Sequence, residues 1–388
     1  MTPIFKNNLF LLSFILFVVS NITFYLWMDN FNKIIPFSPA YGHNAYHYKQ
    51  DPRANKGNIV LLNALGQWDS QWYLKIADKG YRKHPSLPIY TVESLSYNFF
   101  PLFPMLIGGI NLILKNIESS AFIVENIILV FVFLSLYFVV SKWFSQKVAA
   151  KTIFLLFLFP FSIFLRGYYT EGLRLLFFIW FCFGIKEKKY FIAAIFVSLL
   201  SVTNGISIVL LPYFISLVFI SFRKGELILK KALSYVVLAV LPFLIWVGFC
   251  FIQTGNPLYF AATRFAWYRP SIPIFHNIGL LFLFPFLSPS GLYGSGIDVS
   301  MVILTIIVAA VSKKTLPFRV WFATVILAFT PLLVQDTISF ARFTSVLFPF
   351  FAYIAYKMNN KYYFLCIFIF IFTLLITSLL FINWYWIE

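Results

Sequence analysis

Four clusters of polar residues have the types and spacing to do chemistry. The first is Gln67-Trp68-Asp69-Ser70-Gln71-Trp72-Tyr73-Leu74-Lys75-Ile76-Ala77-Asp78-Lys79-Gly80-Tyr81. Asp69 or Ser70 suits a helix N-cap and Gly80 a helix stop, so a short helix is expected between them. Trp68, Trp72 and Ile76 recur four apart on one face, with Lys75 and Lys79 on another. That is the pattern of a helix lying in a membrane surface, tryptophans toward acyl chains and lysines toward headgroups. Anchoring alone would account for Trp72 and Tyr73, and capping alone for Asp69. The second cluster, Arg166-Gly167-Tyr168-Tyr169-Thr170-Glu171, sits between short apolar runs. Ionisable groups at membrane depth are costly and face a cavity or a partner; an Arg166–Glu171 pair at a helix junction fits equally. The third is the turn Gly255-Asn256-Pro257-Leu258, followed by Arg264, Trp267, Tyr268 and Arg269. Interleaved basic and aromatic residues suit a phosphate or sugar ligand, or arginines snorkelling at headgroup level. In the fourth, Arg342 opens an apolar run after Asp336, and can clamp a phosphate or pair with Asp336. His43 and His47 lie four apart with no third ligand near, and no metal is expected.

The elements that must position these residues are membrane helices. Of 388 residues, 61% are apolar and only 11% charged. A water-soluble chain cannot hide that much apolar surface, so lipid is the solvent. The three cysteines (Cys182, Cys250, Cys366) lie in apolar runs and read as core packing. Lys and Arg outnumber Asp and Glu by 30 to 13, a net charge of +17. Much of that excess falls in short connections, around Lys142–Lys151, Lys186–Lys189, Arg223–Lys231, Lys313–Arg319 and Lys357–Lys361. It reads as the positive-inside signal and contact with anionic lipid, not as a nucleic-acid surface.

Leu9–Trp27 reads as an uncleaved first helix. Met28–Asn98 then forms one large extracytoplasmic loop, 28–98, and residues 99–388 a helical bundle, the whole being one integral membrane domain. The expected fold is all-α and polytopic, with about 10–13 membrane helices, short or re-entrant ones included. Phe99–Val140 holds two apparent spans yet must carry the chain from outside to inside, so either one of the two does not cross fully or Lys142–Lys151 is misplaced on the inner side.

Taken together, these residues resemble the PIG-V-like mannosyltransferases, integral membrane glycosyltransferases of the GT-C fold. The family pattern W-D-x-x-W-Y-x-x-I-A-x-x-G-Y is met by Trp68, Asp69, Trp72, Tyr73, Ile76, Ala77, Gly80 and Tyr81. Further matches follow in order along the chain: Phe99–Pro104, Phe159-Pro160 with Phe164-Leu165 and Tyr169-Thr170-Glu171, Gly255–Leu258 with Phe260, Trp267 and Arg269, and Arg342-Phe343 with Phe348-Pro349. The chain departs where the family often shows T-R-P-N-G, reading Thr203-Asn204-Gly205. If the missing arginine holds the donor phosphate in the family, either Arg166 or Arg264 substitutes or the donor site differs.

The resemblance implies an inverting transferase at the extracytoplasmic face of a bacterial cytoplasmic membrane. It would move a sugar, mannose or another hexose, from a polyprenyl-phosphate donor to a hydroxyl of a glycan or glycolipid acceptor. Asp69 is then the expected general base. Arg342, Arg264 and Arg166, in that order, are the expected partners of the leaving phosphate. Trp68, Trp72, Tyr73, Tyr169, Glu171 and Arg269 are expected around the substrates. No cofactor is expected, and the first loop has no DxD motif. Two other readings use the same features: a transporter or flippase of a lipid-linked sugar, and a non-catalytic subunit of a glycan-assembly complex.

Overall fold

Asn8–Phe31 carries no charge before Asp29 and folds as one 24-residue helix, α1, about 36 Å long and so able to cross a bilayer. The computed structural model of the protein describes residues 8–39, 41, 48–82, 94–263, 279–283, 285–286, 294–334 and 337–387. Those residues form helices and turns, with no strand among them. The polar stretch after α1 holds two short helices, α2 (Leu61–Ala64) and α3 (Ser70–Lys79).

The bundle begins with α4 (Leu102–Leu114) and α5 (Ile117–Trp143). These resolve the doubled span between Phe99 and Val140. At 13 residues α4 is about 20 Å long and cannot cross, whereas α5, at 27 residues, does. Lys115 in the left-handed region stops α4, and the Asn116 side chain accepts from Ser119 N–H to start α5. Next come α6 (Gln146–Phe157), α7 (Glu171–Lys186), α8 (Tyr190–Ser201), α9 (Leu210–Arg223) and α10 (Leu229–Thr254). The short α11 (Tyr259–Ala262) and α12 (Leu280–Leu283) precede α13 (Gly296–Ser312) and α14 (Phe318–Val334). The apolar run opening at Phe343 is broken into α15 (Phe340–Thr344) and α16 (Phe348–Lys357), and α17 (Asn360–Ile382) is the last helix.

Among the described residues, five helical stretches are long and apolar enough to cross a membrane: α1, α5, the turn and helix Gly205–Arg223, α10 and α17. Shorter apolar helices (α4, α8, α13, α14) complete the bundle. The long helices expose apolar side chains such as Ile245, Leu244, Phe368 and Phe372. Continuous apolar surface of that kind is stable only against lipid. The chain is an integral, multi-pass membrane protein. Cys182 and Cys250 are buried and Cys366 half-buried, all as free thiols.

A clamp ties the first loop to the end of α17. Arg53 donates to both carboxylate oxygens of Asp51 (2.9 and 2.7 Å), to Asn383 Oδ1 (2.7 Å) and to the Ile382 carbonyl. Burial alone would raise the Asp51 pKa, but the hydrogen bonds and charge of Arg53 outweigh it and hold the carboxyl below its usual value. A group depressed in this way stabilises the fold above the unfolded pKa of about 4, and the contribution is lost as pH falls through the lower folded value. The loop is therefore expected to loosen below about pH 4. Hydrogen exchange of residues 51–57, corrected for intrinsic rates, should show extra opening there in the native chain, and no such pH step in Asp51→Asn.

Candidate active site

The turn that enters α3 decides what Asp69 does. Trp68 takes a left-handed backbone, φ +54°, unusual for a bulky residue. Its ring stacks on Trp384 (5.0 Å between centroids) and meets Trp386 edge-on (4.9 Å), while its indole N–H donates to the Tyr385 carbonyl (3.2 Å). Asp69 follows in a helical conformation, φ −57° and ψ −26°. A capping side chain needs an extended backbone to reach the first free N–H groups. Here Ser70, Gln71 and Trp72 N–H already donate to the carbonyls of Gln67, Trp68 and Asp69 (3.2, 3.0 and 3.1 Å). The Asp69 carboxylate makes no capping bond and is left for other work.

Its partner comes from the far end of the chain. Arg342 Nη1 donates to Asp69 Oδ2 at 3.0 Å, and Arg342 Nε to Glu171 Oε1 at 2.6 Å. Glu171 is the first residue of α7, where the helix dipole favours a carboxylate. Arg174, one turn on, lies 3.6 Å from the same oxygen, and its Nε donates to Ser207 Oγ (3.4 Å). The guanidinium of Arg342 also sits 4.4 Å from the Tyr169 ring centroid and 5.1 Å from that of Phe164. Two carboxylates and two guanidinium groups thus balance in charge. Glu171, Arg174 and Arg342 have side chains no more than 4% exposed; Asp69, at 26%, is the member open to solvent.

Tyr73 and Tyr169 wall the cluster. Burial, and after it the Glu171 charge, raises the Tyr73 pKa, so the hydroxyl keeps its proton at neutral pH. Tyr169 O–H donates to the Gln67 carbonyl (2.9 Å), fixing the approach to Asp69. Trp72, expected to face acyl chains, is covered by protein: it stacks on Phe99 (5.6 Å), and the Lys75 ammonium lies over its ring.

Arg166 goes elsewhere. Its guanidinium donates to Asn21 Oδ1 (2.8 Å), Ser162 Oγ and carbonyl (3.0 and 3.1 Å) and the Phe157 carbonyl (3.1 Å), and it is buried. It pins α1 to the break between α6 and α7, and it does not pair with Glu171. Arg264, Arg269, Asp336, His43 and His47 lie outside the described residues. Thr203-Asn204-Gly205 does reach the cluster's edge, through Asn204 Nδ2 to Thr170 Oγ1 (3.5 Å).

Three further residues belong to this region. Arg174 and Glu125 are charges inside apolar runs, itself a signal of function. Glu125 is fully buried on α5, and neither carboxyl oxygen has a hydrogen-bond partner among the described residues. It lies against Gly172, where an added Cβ would overlap Oε1, so any side chain there would push the Glu125 carboxyl aside. Asp298 sits just before the apolar run of α13 and is buried. Its Oδ1 accepts from Ala341 N–H (2.9 Å), and its Oδ2 from Ser295 N–H and Oγ (both 3.0 Å). That holds the five-residue α15, with Ser339 at φ +62° before it, in the orientation that delivers Arg342. Asp298→Ala is expected to cost about 1–3 kcal/mol, the penalty for unpairing buried donors. It should also lower any activity that depends on Arg342; melting temperature and turnover measured together check this.

Two apolar grooves flank the cluster. One, of about 650 Å³, is lined by Ile76, Ala77 and Gly80 of α3 together with Met105, Ile245 and Trp246. The other, of about 540 Å³, begins at Thr344 and Leu347, just beyond Arg342, and runs between α13, α16 and α17.

No protein-family model matches the chain, and no curated protein matches it. Among solved structures it is similar to the apo crystal structure of the Archaeoglobus fulgidus oligosaccharyltransferase, at 11% identity and a TM-score of 0.45. The likeness covers 95% of this chain and 56% of that one, so this chain spans little more than half the length of its neighbour. At that identity and score, nothing about chemistry transfers.

Proposed function

We propose that the protein is a GT-C membrane glycosyltransferase that moves a hexose from a polyprenyl-phosphate donor to an acceptor hydroxyl at the extracytoplasmic face. The observation that carries this reading is the Asp69–Arg342–Glu171 constellation. It joins a partly exposed carboxylate, free of capping duty, to a buried arginine. In the reaction, the acceptor oxygen attacks the anomeric carbon while the bond from that carbon to the phosphate oxygen breaks. The hydroxyl proton passes to Asp69, which counters the poor nucleophilicity of an alcohol. The phosphate leaves with the bonding electron pair, and its growing charge is met by Arg342. A single displacement inverts the anomeric centre. Glu171 and Arg174 hold the Arg342 fork in place, and either apolar groove could take part of an isoprenoid chain.

The PIG-V-like resemblance makes mannose the first sugar to test. A strain lacking the chain should show surface glycans or glycolipids short of one hexose, and mass spectrometry reads the missing sugar and the truncated acceptor together. Unaltered glycans in that strain would sink the proposal.

A further inference from the structure

A third groove lies at the opposite end of the bundle. α5 runs from Glu118, whose carboxylate holds Lys49 of the first loop (2.7 Å), to Trp143, about 40 Å away. α6 therefore starts at the end remote from Asp69. There α1, α6 and α17 pack together around a groove of about 500 Å³. Each helix lines it over the same length: Leu9 to Ser20, Lys147 to Leu158, and Asn360 to Ile371, twelve residues in each case. From the first to the last of twelve helical residues the rise is about 16 Å, close to the roughly 15 Å thickness of one leaflet's hydrocarbon.

The groove is polar at its mouth and apolar along its length. Lys147 and Lys151 stand at the outer end with Asn360, and among the described residues no acidic one lines it. Lys147 is exposed. Lys151 is half-buried, and its ammonium is fixed by the Met358 carbonyl (3.3 Å) and the Tyr363 ring (5.0 Å to the centroid). Below the lysines come Leu16, Phe154, Leu158, Ile367 and Ile371. Two cations above a leaflet-deep apolar slot match a phosphate headgroup above an acyl chain.

We infer that this groove is a binding site for an anionic glycerophospholipid, with its phosphate at Lys147 and Lys151 and one acyl chain between α1, α6 and α17. The site is independent of the transferase chemistry. Native mass spectrometry of the full chain in detergent, with phosphatidylglycerol or phosphatidylcholine added, tests it. Phosphatidylglycerol is expected to bind roughly 30-fold tighter, the effect of two lysines near a membrane surface. Lys147→Gln/Lys151→Gln should abolish that preference while phosphatidylcholine still binds as tightly as to the native chain, whatever small stability the lost Met358 bond removes. Ala150→Trp, which fills the slot and keeps both charges, should weaken phosphatidylglycerol binding by a similar factor. Equal binding of the two lipids by the native chain would overturn the inference. So would a preference that survives the double substitution, full binding by Ala150→Trp, or displacement of the lipid by free glycerol phosphate.

Discussion

Replacing Arg342 by alanine is expected to abolish measurable transfer and to destabilise the fold. The substitution leaves Glu171 buried with Arg174, at 3.6 Å, as its one charge partner among the described residues, and removes the hydrogen bond to Asp69. Breaking a buried pair in this way costs about 3–5 kcal/mol, visible as a lower melting temperature in detergent. Arg342→Lys separates stability from chemistry. The ammonium keeps the charge, but a single point cannot reproduce a fork that bonds Glu171 through Nε and Asp69 through Nη1. Most of the stability should return, while turnover stays roughly 100- to 1,000-fold down, the range for loss of one donor to a developing anion. Recovery of full turnover in Arg342→Lys would reduce Arg342 to a structural charge.

Asp69→Asn is the second large effect. The amide oxygen can still accept from Arg342 Nη1, and Asp69 makes no capping bond whose loss would unravel α3. Stability should therefore fall by much less than in Arg342→Ala, by about 1 kcal/mol, the scale of an ion pair with one solvent-open partner. Turnover should fall by roughly 100-fold or more, because the amide cannot take the acceptor proton. Asp69→Glu places the carboxylate one methylene further out, and partial activity there would show that a base at this position is what matters. A melting temperature that drops with Asp69→Asn while turnover holds would assign Asp69 to structure instead.

The contrast between Arg166 and Arg342 shows how far the sequence could be read. Each is an arginine beside an apolar run, and nothing local distinguishes them. Asn21 and Ser162 satisfy the first internally, whereas the second meets two carboxylates, one of them 273 residues away. Such pairings are a property of the bundle, not of any window of sequence. Asp69 was legible as a candidate, and its competing role as a cap was excluded only by the backbone of Trp68 and Asp69. Two tail tryptophans, Trp384 and Trp386, hold Trp68 in that backbone.

Helix positions followed hydropathy closely where runs were long, as in α5 and α17. Short runs were ambiguous. α4 looked like a span but ends at Lys115, and the run at Phe343 is split after Thr344. The spacing of Trp72 points it toward lipid, yet Phe99 covers it, because periodicity marks an apolar face without saying what that face meets. Asp298 carries no signal in the sequence, since one acidic residue before an apolar run reads as an ordinary helix start. Its reach to Ala341 N–H is visible only in three dimensions.

The most direct measurement uses the purified chain in lipid nanodiscs, with a polyprenyl-phosphate hexose labelled separately in sugar and carrier, and an acceptor present. The native chain is expected to free one carrier phosphate for each sugar transferred, with inversion at the anomeric carbon, and Asp69→Asn to do so at about one per cent of that rate or less. Passage of intact sugar–lipid across the bilayer without carrier release, or equal rates for the two chains, would contradict it.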